Sequence, residues 1–211
     1  MDPQSTYDRI ADHFAATREY AWPEVTTFLE DRTTDRALDI GCGNGRHTEL
    51  LAARARLAVG VDLSRGLLDA AVARARERGF ADATGFVHGD AARLPIATDA
   101  VGLATYVATL HHLSPRAARV ASLSELSRVL RPGGAGLVSV WSTAHDRFDR
   151  ETGFDTTVDW TLPGGETVPR YYHIYDPDEF AADLAASDLV TEDVTVSSGN
   201  CYAVVRPRSK E

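Results

Sequence analysis

The chain has one methionine, one lysine (Lys210) and two cysteines, Cys42 and Cys201, in 211 residues. Two cysteines this far apart build neither a disulfide framework nor a zinc-ligand spacing, so no structural metal is expected. Cys42 lies inside a glycine-rich run and reads as a small packing residue rather than a nucleophile. No apolar run reaches the ~18 residues of a membrane span. The N-terminus lacks the basic, apolar, then small-residue order of a signal peptide, so a cytoplasmic location is expected. With a single lysine, arginine supplies almost all positive charge, and 31 acids against 22 bases leave a net charge of −9. An acidic, lysine-poor surface resembles proteins of halophilic organisms, although a GC-rich genome gives the same arginine bias. The sign argues against simple electrostatic capture of nucleic acid, which relies on clustered Lys and Arg. Repeats and low-complexity tracts are also missing, and hydrophobic content of 44% fits one domain over residues 1–211.

What the chain does have is a run of Ala37-Leu38-Asp39-Ile40-Gly41-Cys42-Gly43-Asn44-Gly45. An apolar stretch feeds a glycine turn, and residues 46–55 follow with helical spacing, which predicts strand, tight loop and helix. Gly41, Gly43 and Gly45 allow positive φ and close approach to a bulky neighbour. A dinucleotide turn would need Gly-x-Gly-x-x-Gly, and Arg46 stands where its third glycine belongs. Residues 57–61 form a second apolar strand ending on Asp62, 21 positions beyond Gly41, where a nucleoside-binding α/β fold places a carboxylate for both ribose hydroxyls. A third strand around Phe86-Val87 runs into Gly89-Asp90-Ala91. A fourth, residues 101–107, delivers His111-His112 at its carboxyl end, which in an open α/β sheet faces the ligand crevice.

Two amphipathic helices precede all this, in residues 1–33, with Thr17-Arg18 and Trp22-Pro23 at their junction. A helix capped by Ser114-Pro115 carries Val120, Leu123, Leu126 and Leu130, and a fifth strand is expected at residues 137–141. Residues 142–169, polar and with Pro163-Gly164-Gly165, read as a long lid or substrate loop leading into a substrate segment that ends at Tyr175. A helix near residues 178–186 and two β runs, 190–196 and 202–205, complete the chain. Alternating strands and helices with short connections imply a parallel sheet covered on both faces.

Gly-x-Gly-x-Gly preceded by Asp39 resembles the first motif of the class I S-adenosylmethionine-dependent methyltransferases. The resemblance implies an α/β, Rossmann-like, seven-stranded and mostly parallel sheet with a C-terminal antiparallel hairpin. It also implies S-adenosyl-L-methionine as cofactor, held by Asp39, Gly41, Gly43, Gly45, Asp62, Asp90 and Ala91, with Asp90 at the adenine. The chain from end to end resembles a narrower group, the tRNA carboxymethyluridine methyltransferases, which esterify a wobble-uridine side chain. Phe14-Ala15-Ala16-Thr17-Arg18, Trp22-Pro23, His111-His112 and Arg170-Tyr171-Tyr172-His173-Ile174-Tyr175 carry that likeness. Leu113 and Gly199-Asn200-Cys201-Tyr202 depart from it, at positions where substrate contacts are expected. It implies a tRNA substrate, and Arg18, His111, Tyr172 and His173 are expected around the carboxymethyl group, with Arg18 aligning it. It further implies a heterodimer with a small zinc-binding activator, docked on the sheet edge near Thr84 to His88. A small-molecule methyltransferase and a non-catalytic methyltransferase-like subunit are the competing expectations.

Overall fold

The computed structural model describes residues 2–208. Two helices open the chain, α1 (Pro3–Thr17) and α2 (Pro23–Leu29). Asp2 caps α1 by accepting from the Gln4 and Ser5 amides, and prolines at the first turn of each helix cost no hydrogen bond there. There follow β1 (Thr34–Ile40), α3 (Arg46–Ala52), β2 (Ala55–Asp62), α4 (Arg65–Glu77), β3 (Thr84–His88), β4 (Val101–Val107), α5 (Arg116–Val129) and β5 (Leu130–Trp141). The last third holds β6 (Phe154–Thr161), β7 (Thr167–Ile174), α6 (Pro177–Ala185), β8 (Leu189–Ser197) and β9 (Asn200–Pro207).

Seven strands form one sheet in the order β3-β2-β1-β4-β5-β9-β8. The first five are parallel and β9 runs antiparallel to both of its neighbours, as the sequence predicts. The chain walks outward from β1 to β3 and then crosses to β4 on the other side of β1. Strand order therefore reverses between β1 and β4, and a crevice opens beyond their carboxyl ends. Successive β1 residues feed opposite cores. Leu38 and Ile40 pack with Tyr106, Leu123, Leu126 and Phe180, whereas Ala37 packs with Val25, Phe28, Leu51 and Tyr202. β4 is buried along its whole length, as a central parallel strand with both faces covered must be.

Among the boundaries that differ from those the sequence predicts, three stand out. β1 starts at Thr34, because Thr34 and Arg36 pair with β2 despite their polarity. β5 starts at Leu130, not 137: Leu130 pairs with Val101 and Ala135 with Leu103, so Arg131-Pro132-Gly133-Gly134 forms a bulge within the strand. The stretch 142–169 is not an irregular lid. It contains β6, which pairs antiparallel with β7 from Phe154↔Ile174 to Thr161↔Thr167. Val158 and Trp160 point inward at a two-residue period and face Val168, Arg170 and Tyr172. A separate apolar cluster of Ile10, Trp160 and Val168, with Tyr7 and Phe14 against it, fastens this hairpin to α1. Among the described residues no helix is long and apolar enough to cross a membrane.

Candidate active site

A cavity of about 860 Å³ lies beyond the carboxyl ends of β1 and β4, roofed by α1 and the β6–β7 hairpin. Gly41, Gly43, Asp62, Asp90, Ala91, Arg18, His111 and Tyr172 all line it. The roof is held down by Asp8, whose carboxylate accepts from Ser64 Oγ (2.6 Å) and the Gly66 amide (3.1 Å).

The glycine turn shows why its residue types are needed, partly for reasons the sequence reading did not contain. Gly41 has φ +68°, and a Cβ there would sit 2.1 Å from Thr109 Oγ1, so the close approach is to the strand-four tip rather than to a ligand. Gly45, at φ +78°, heads α3 against Ala71 and lies outside the cavity lining. Gly43 sends its amide to Asp62 Oδ2 (2.8 Å), while the Ser64 amide takes Oδ1 (2.8 Å). An ionised carboxylate offers about four acceptor positions, and with the Leu63 amide also against it Asp62 retains at most two. That matches a vicinal diol. Burial pushes the Asp62 carboxyl up while its backbone amide partners oppose the shift. Asp90 is exposed at the far end beside Ala91, anchored by the Ala92 amide (2.8 Å). Turn, diol acceptor and distal acid thus fit a nucleoside with an amino-acid arm.

Asp39 is a correction: it lies beneath the turn, 1% exposed, and not on the cavity wall. Thr48 and Thr105 hydroxyls donate to it at 2.6 and 2.8 Å. Its action on a ligand runs through the turn it braces. Burial carries its carboxyl from 3.8 to about 6 against those hydrogen bonds. A carboxyl raised on folding binds a proton in the native state that the unfolded chain has released. Its ionisation therefore costs stability as pH rises from about 4 to 6, reaching about 3 kcal/mol above that window. Asp39→Asn should thus gain stability relative to the parent as pH rises through 4–6, read from denaturant midpoints. A pH-independent difference would show that Asp39 ionises in the folded state as it does in the unfolded one.

The opposite half of the cavity is aromatic and cationic. Trp160 is the common platform: the Arg18 guanidinium carbon lies 4.8 Å from its ring centroid and that of Arg170 lies 4.9 Å away. Neither arginine has an ion-pair partner among the described residues. Burial first and Arg170 second lower the Arg18 pKa. Arg170 is 7% exposed. Its Nη1 donates to Tyr172 Oη (2.7 Å) and Tyr7 Oη (3.5 Å), while Nε is buried without a partner. The Nε/Nη2 edge, the side that grips a carboxylate with two parallel bonds, has no hydrogen-bond partner among the described residues. Arg170 was present in the sequence only as part of the Arg-Tyr-Tyr-His run; its burial without an acid is what singles it out.

His111 stacks on Tyr172 at 4.8 Å and is 1% exposed. Its Nδ1 accepts the Trp141 amide (3.0 Å), so the neutral ring carries its proton on Nε2, which is buried and unpartnered. Burial, then His112 and Arg170, keeps it neutral by lowering its pKa far below the usual value. His111 is therefore a hydrogen-bond donor and not a base. His173 corrects the other way: it does not line the cavity. Its Nδ1 bonds Asp155 across the hairpin (2.7 Å), and its Nε2 lies 2.9 Å from Glu179 of α6. Adjacent strand residues point to opposite faces, so Tyr172 and His173 cannot both face the crevice.

Comparison with known proteins agrees with this geometry. Residues 37–134 match a methyltransferase domain family model. ECU09_1500 of Encephalitozoon cuniculi, named as a methyltransferase, is 35% identical over 177 residues, covering 80% of this chain and 78% of that one. The tRNA (carboxymethyluridine(34)-5-O)-methyltransferase of Saccharomyces cerevisiae is 31% identical over 172 residues, 78% of this chain and 58% of its own length. ALKBH8 of Macaca fascicularis, with the same activity in its name, is 37% identical over 137 residues, 64% of this chain but 19% of that protein. Among solved structures, the CcbJ methyltransferase of Streptomyces caelestis superposes with TM-score 0.79 at 19% identity, covering 99% of this chain and all of its own. DhpI in complex with SAH gives 0.72 at 20%, over 99% and 96% of the two chains. The methyltransferase complexed with the Haloferax volcanii Trm112 activator gives 0.73 at 14%, over 100% and 99%. Those structures share the fold. The cofactor is S-adenosyl-L-methionine, and the chain belongs to the class I methyltransferases, in the family whose named members include the tRNA carboxymethyluridine methyltransferases.

Proposed function

We propose that the chain transfers a methyl group to the carboxylate of 5-carboxymethyluridine at a tRNA wobble position, giving the methyl ester. The observation that carries this reading is the pair of guanidiniums, Arg18 and Arg170, on the Trp160 ring, lining the cavity without an acid partner. A buried cation, Arg170, beside a half-buried one, Arg18, is costly without a counter-ion unless an anion arrives. S-adenosylmethionine, when bound, supplies a methyl carbon made electrophilic by its sulfonium.

Arg170 offers its Nε/Nη2 edge to the two carboxylate oxygens, and Arg18 offers a second positive charge. His111 Nε2–H offers a neutral donor. A carboxylate is ionised at neutral pH, so no residue need remove a proton. Alignment is the main task left, and effective molarities of ~10⁵ M or more make it sufficient. Tyr172 and Trp141, 4.8 Å apart, add flat apolar surface for a uracil.

The acidic chain complicates RNA capture, because Arg9, Arg56, Arg74, Arg78 and Arg206 are already taken up by carboxylates. A partner would supply positive surface. We place a small zinc-binding activator on β3, which is a sheet edge with outward backbone groups free for strand addition. The second reading, esterification of a free carboxylic acid of metabolite size, is favoured by the same net charge of −9.

The test is transfer of labelled methyl to tRNA bearing carboxymethyluridine, with the chain alone and with whatever co-purifies from native extract. Label released by mild alkali is expected of an ester; alkali-stable label on the nucleoside would sink the carboxylate reading. Equal activity of the lone chain, with no zinc protein co-purifying, would remove the activator.

A further inference from the structure

His112 has no role in the reading above, yet its ring lies 4.5 Å from that of His111 and lines the same cavity. We propose that His112 and Tyr7 are positioning residues that fix the Arg170 guanidinium, a proposal that rests on Arg170 being the carboxylate fork. His112 Nδ1–H donates to the Tyr171 carbonyl of β7 (2.9 Å), which leaves Nε2 of the neutral ring as a bare acceptor. Tyr7 Oη lies 2.8 Å from that nitrogen, so the phenol donates to it. The donation turns the Tyr7 lone pairs toward Arg170 Nη1, 3.5 Å away, and Nη1 also donates to Tyr172 Oη at 2.7 Å. Both Nη1 hydrogens then have acceptors, and the guanidinium plane cannot turn about its Nε–Cζ bond without losing both. The Nε/Nη2 edge is what remains to face the cavity. Three segments meet in this chain of bonds: α1 through Tyr7, the strand-four tip through His112, and β7 through Tyr171, Tyr172 and Arg170.

The rival account is that Tyr7 and His112 are simply packed rings, 5.3 Å apart edge to face, with Phe14 next to Tyr7 at 6.1 Å. Tyr7→Phe and His112→Phe separate the two accounts, because each keeps a ring and removes only the polar link. We expect each variant to lower kcat/KM for carboxymethyluridine tRNA about tenfold, mainly through KM, since loss of orientation falls on seating the carboxylate. The double variant should lose no more than about twofold beyond the worse single, because either change breaks the same chain. Affinity for SAH by calorimetric titration should stay within about twofold for all three, which also shows that they fold. Nitrogen-15 NMR reads the guanidinium without substrate: Arg170 should give two separate Nη signals in the parent and faster, averaged rotation in both single variants. Unchanged Arg170 rotation in either variant overturns the proposal, as do losses that multiply in the double. Arg170→Gln is the control for the underlying reading. If Arg170→Gln keeps full kcat/KM, the carboxylate assignment falls, while the rotation measurement still decides the relay.

Discussion

Arg170→Ala is expected to lower methyl transfer to carboxymethyluridine tRNA roughly 10³-fold while SAH affinity stays within about twofold. The estimate follows from two charge-assisted bonds, each worth ~1.5 to 3 kcal/mol, together with the orientation they impose. Arg18→Ala should cost less, roughly 10²-fold, because Arg18 contributes charge and stacking while its Nη1 is partly spent on the Thr17 carbonyl (3.2 Å). Lysine at either position should not restore activity, since an ammonium neither lies flat on Trp160 nor binds both oxygens side-on. Removing Arg170 also strips the donor from Tyr172 and Tyr7, so SAH titration serves as the check that the roof still forms. Near-normal turnover in Arg170→Ala would mean that the unpartnered guanidinium edge serves something other than the methyl acceptor.

The parts of the site that the sequence disclosed are those set by backbone geometry. A glycine turn after an apolar strand and an acid at the end of the next strand can be read from spacing, and the sheet places Asp62 and Gly43 within 2.8 Å of each other as that spacing requires. The histidine pair was legible for the same reason, since β4 can only end in the crevice. Division of labour within the pair was not. It depends on which carbonyl or amide each ring meets, the Trp141 amide for His111 and the Tyr171 carbonyl for His112.

The hairpin escaped because its polar outer face hid the inward period. Asp155, Thr157, Asp159 and Thr161 face water while Trp160 packs against α1 and Val158 against Tyr172 and Ile174, so composition suggested a loop where alternation meant a strand. Missing the hairpin also meant missing Trp160 as the platform for both arginines. The misplacement of His173 has the same origin. Once residues 167–174 are a strand, Arg170 and Tyr172 share one face, and His173 must turn away, toward Asp155 and Glu179.

Asp62→Ala should weaken SAH binding by ~2 to 4 kcal/mol, a factor of about 30 to 1,000. Two ribose hydroxyls lose a charged acceptor at once, and each such bond contributes ~1.5 kcal/mol or more. The same carboxylate also receives the Gly43 and Ser64 amides, so its removal leaves two backbone donors without their partner. Part of the loss therefore comes from a turn that no longer holds its shape. Asp62→Asn separates the two contributions. Its carbonyl oxygen can still accept one amide, but its NH₂ faces a donor where the carboxylate offered a lone pair. If the diol contact dominates, 2′-deoxy-SAH should bind the parent protein much more weakly than SAH does, yet bind Asp62→Ala about as well as SAH does. If both ligands lose affinity equally in the variant, Asp62 acts by shaping the glycine turn. Unchanged SAH affinity in Asp62→Ala would place the nucleoside elsewhere in the cavity.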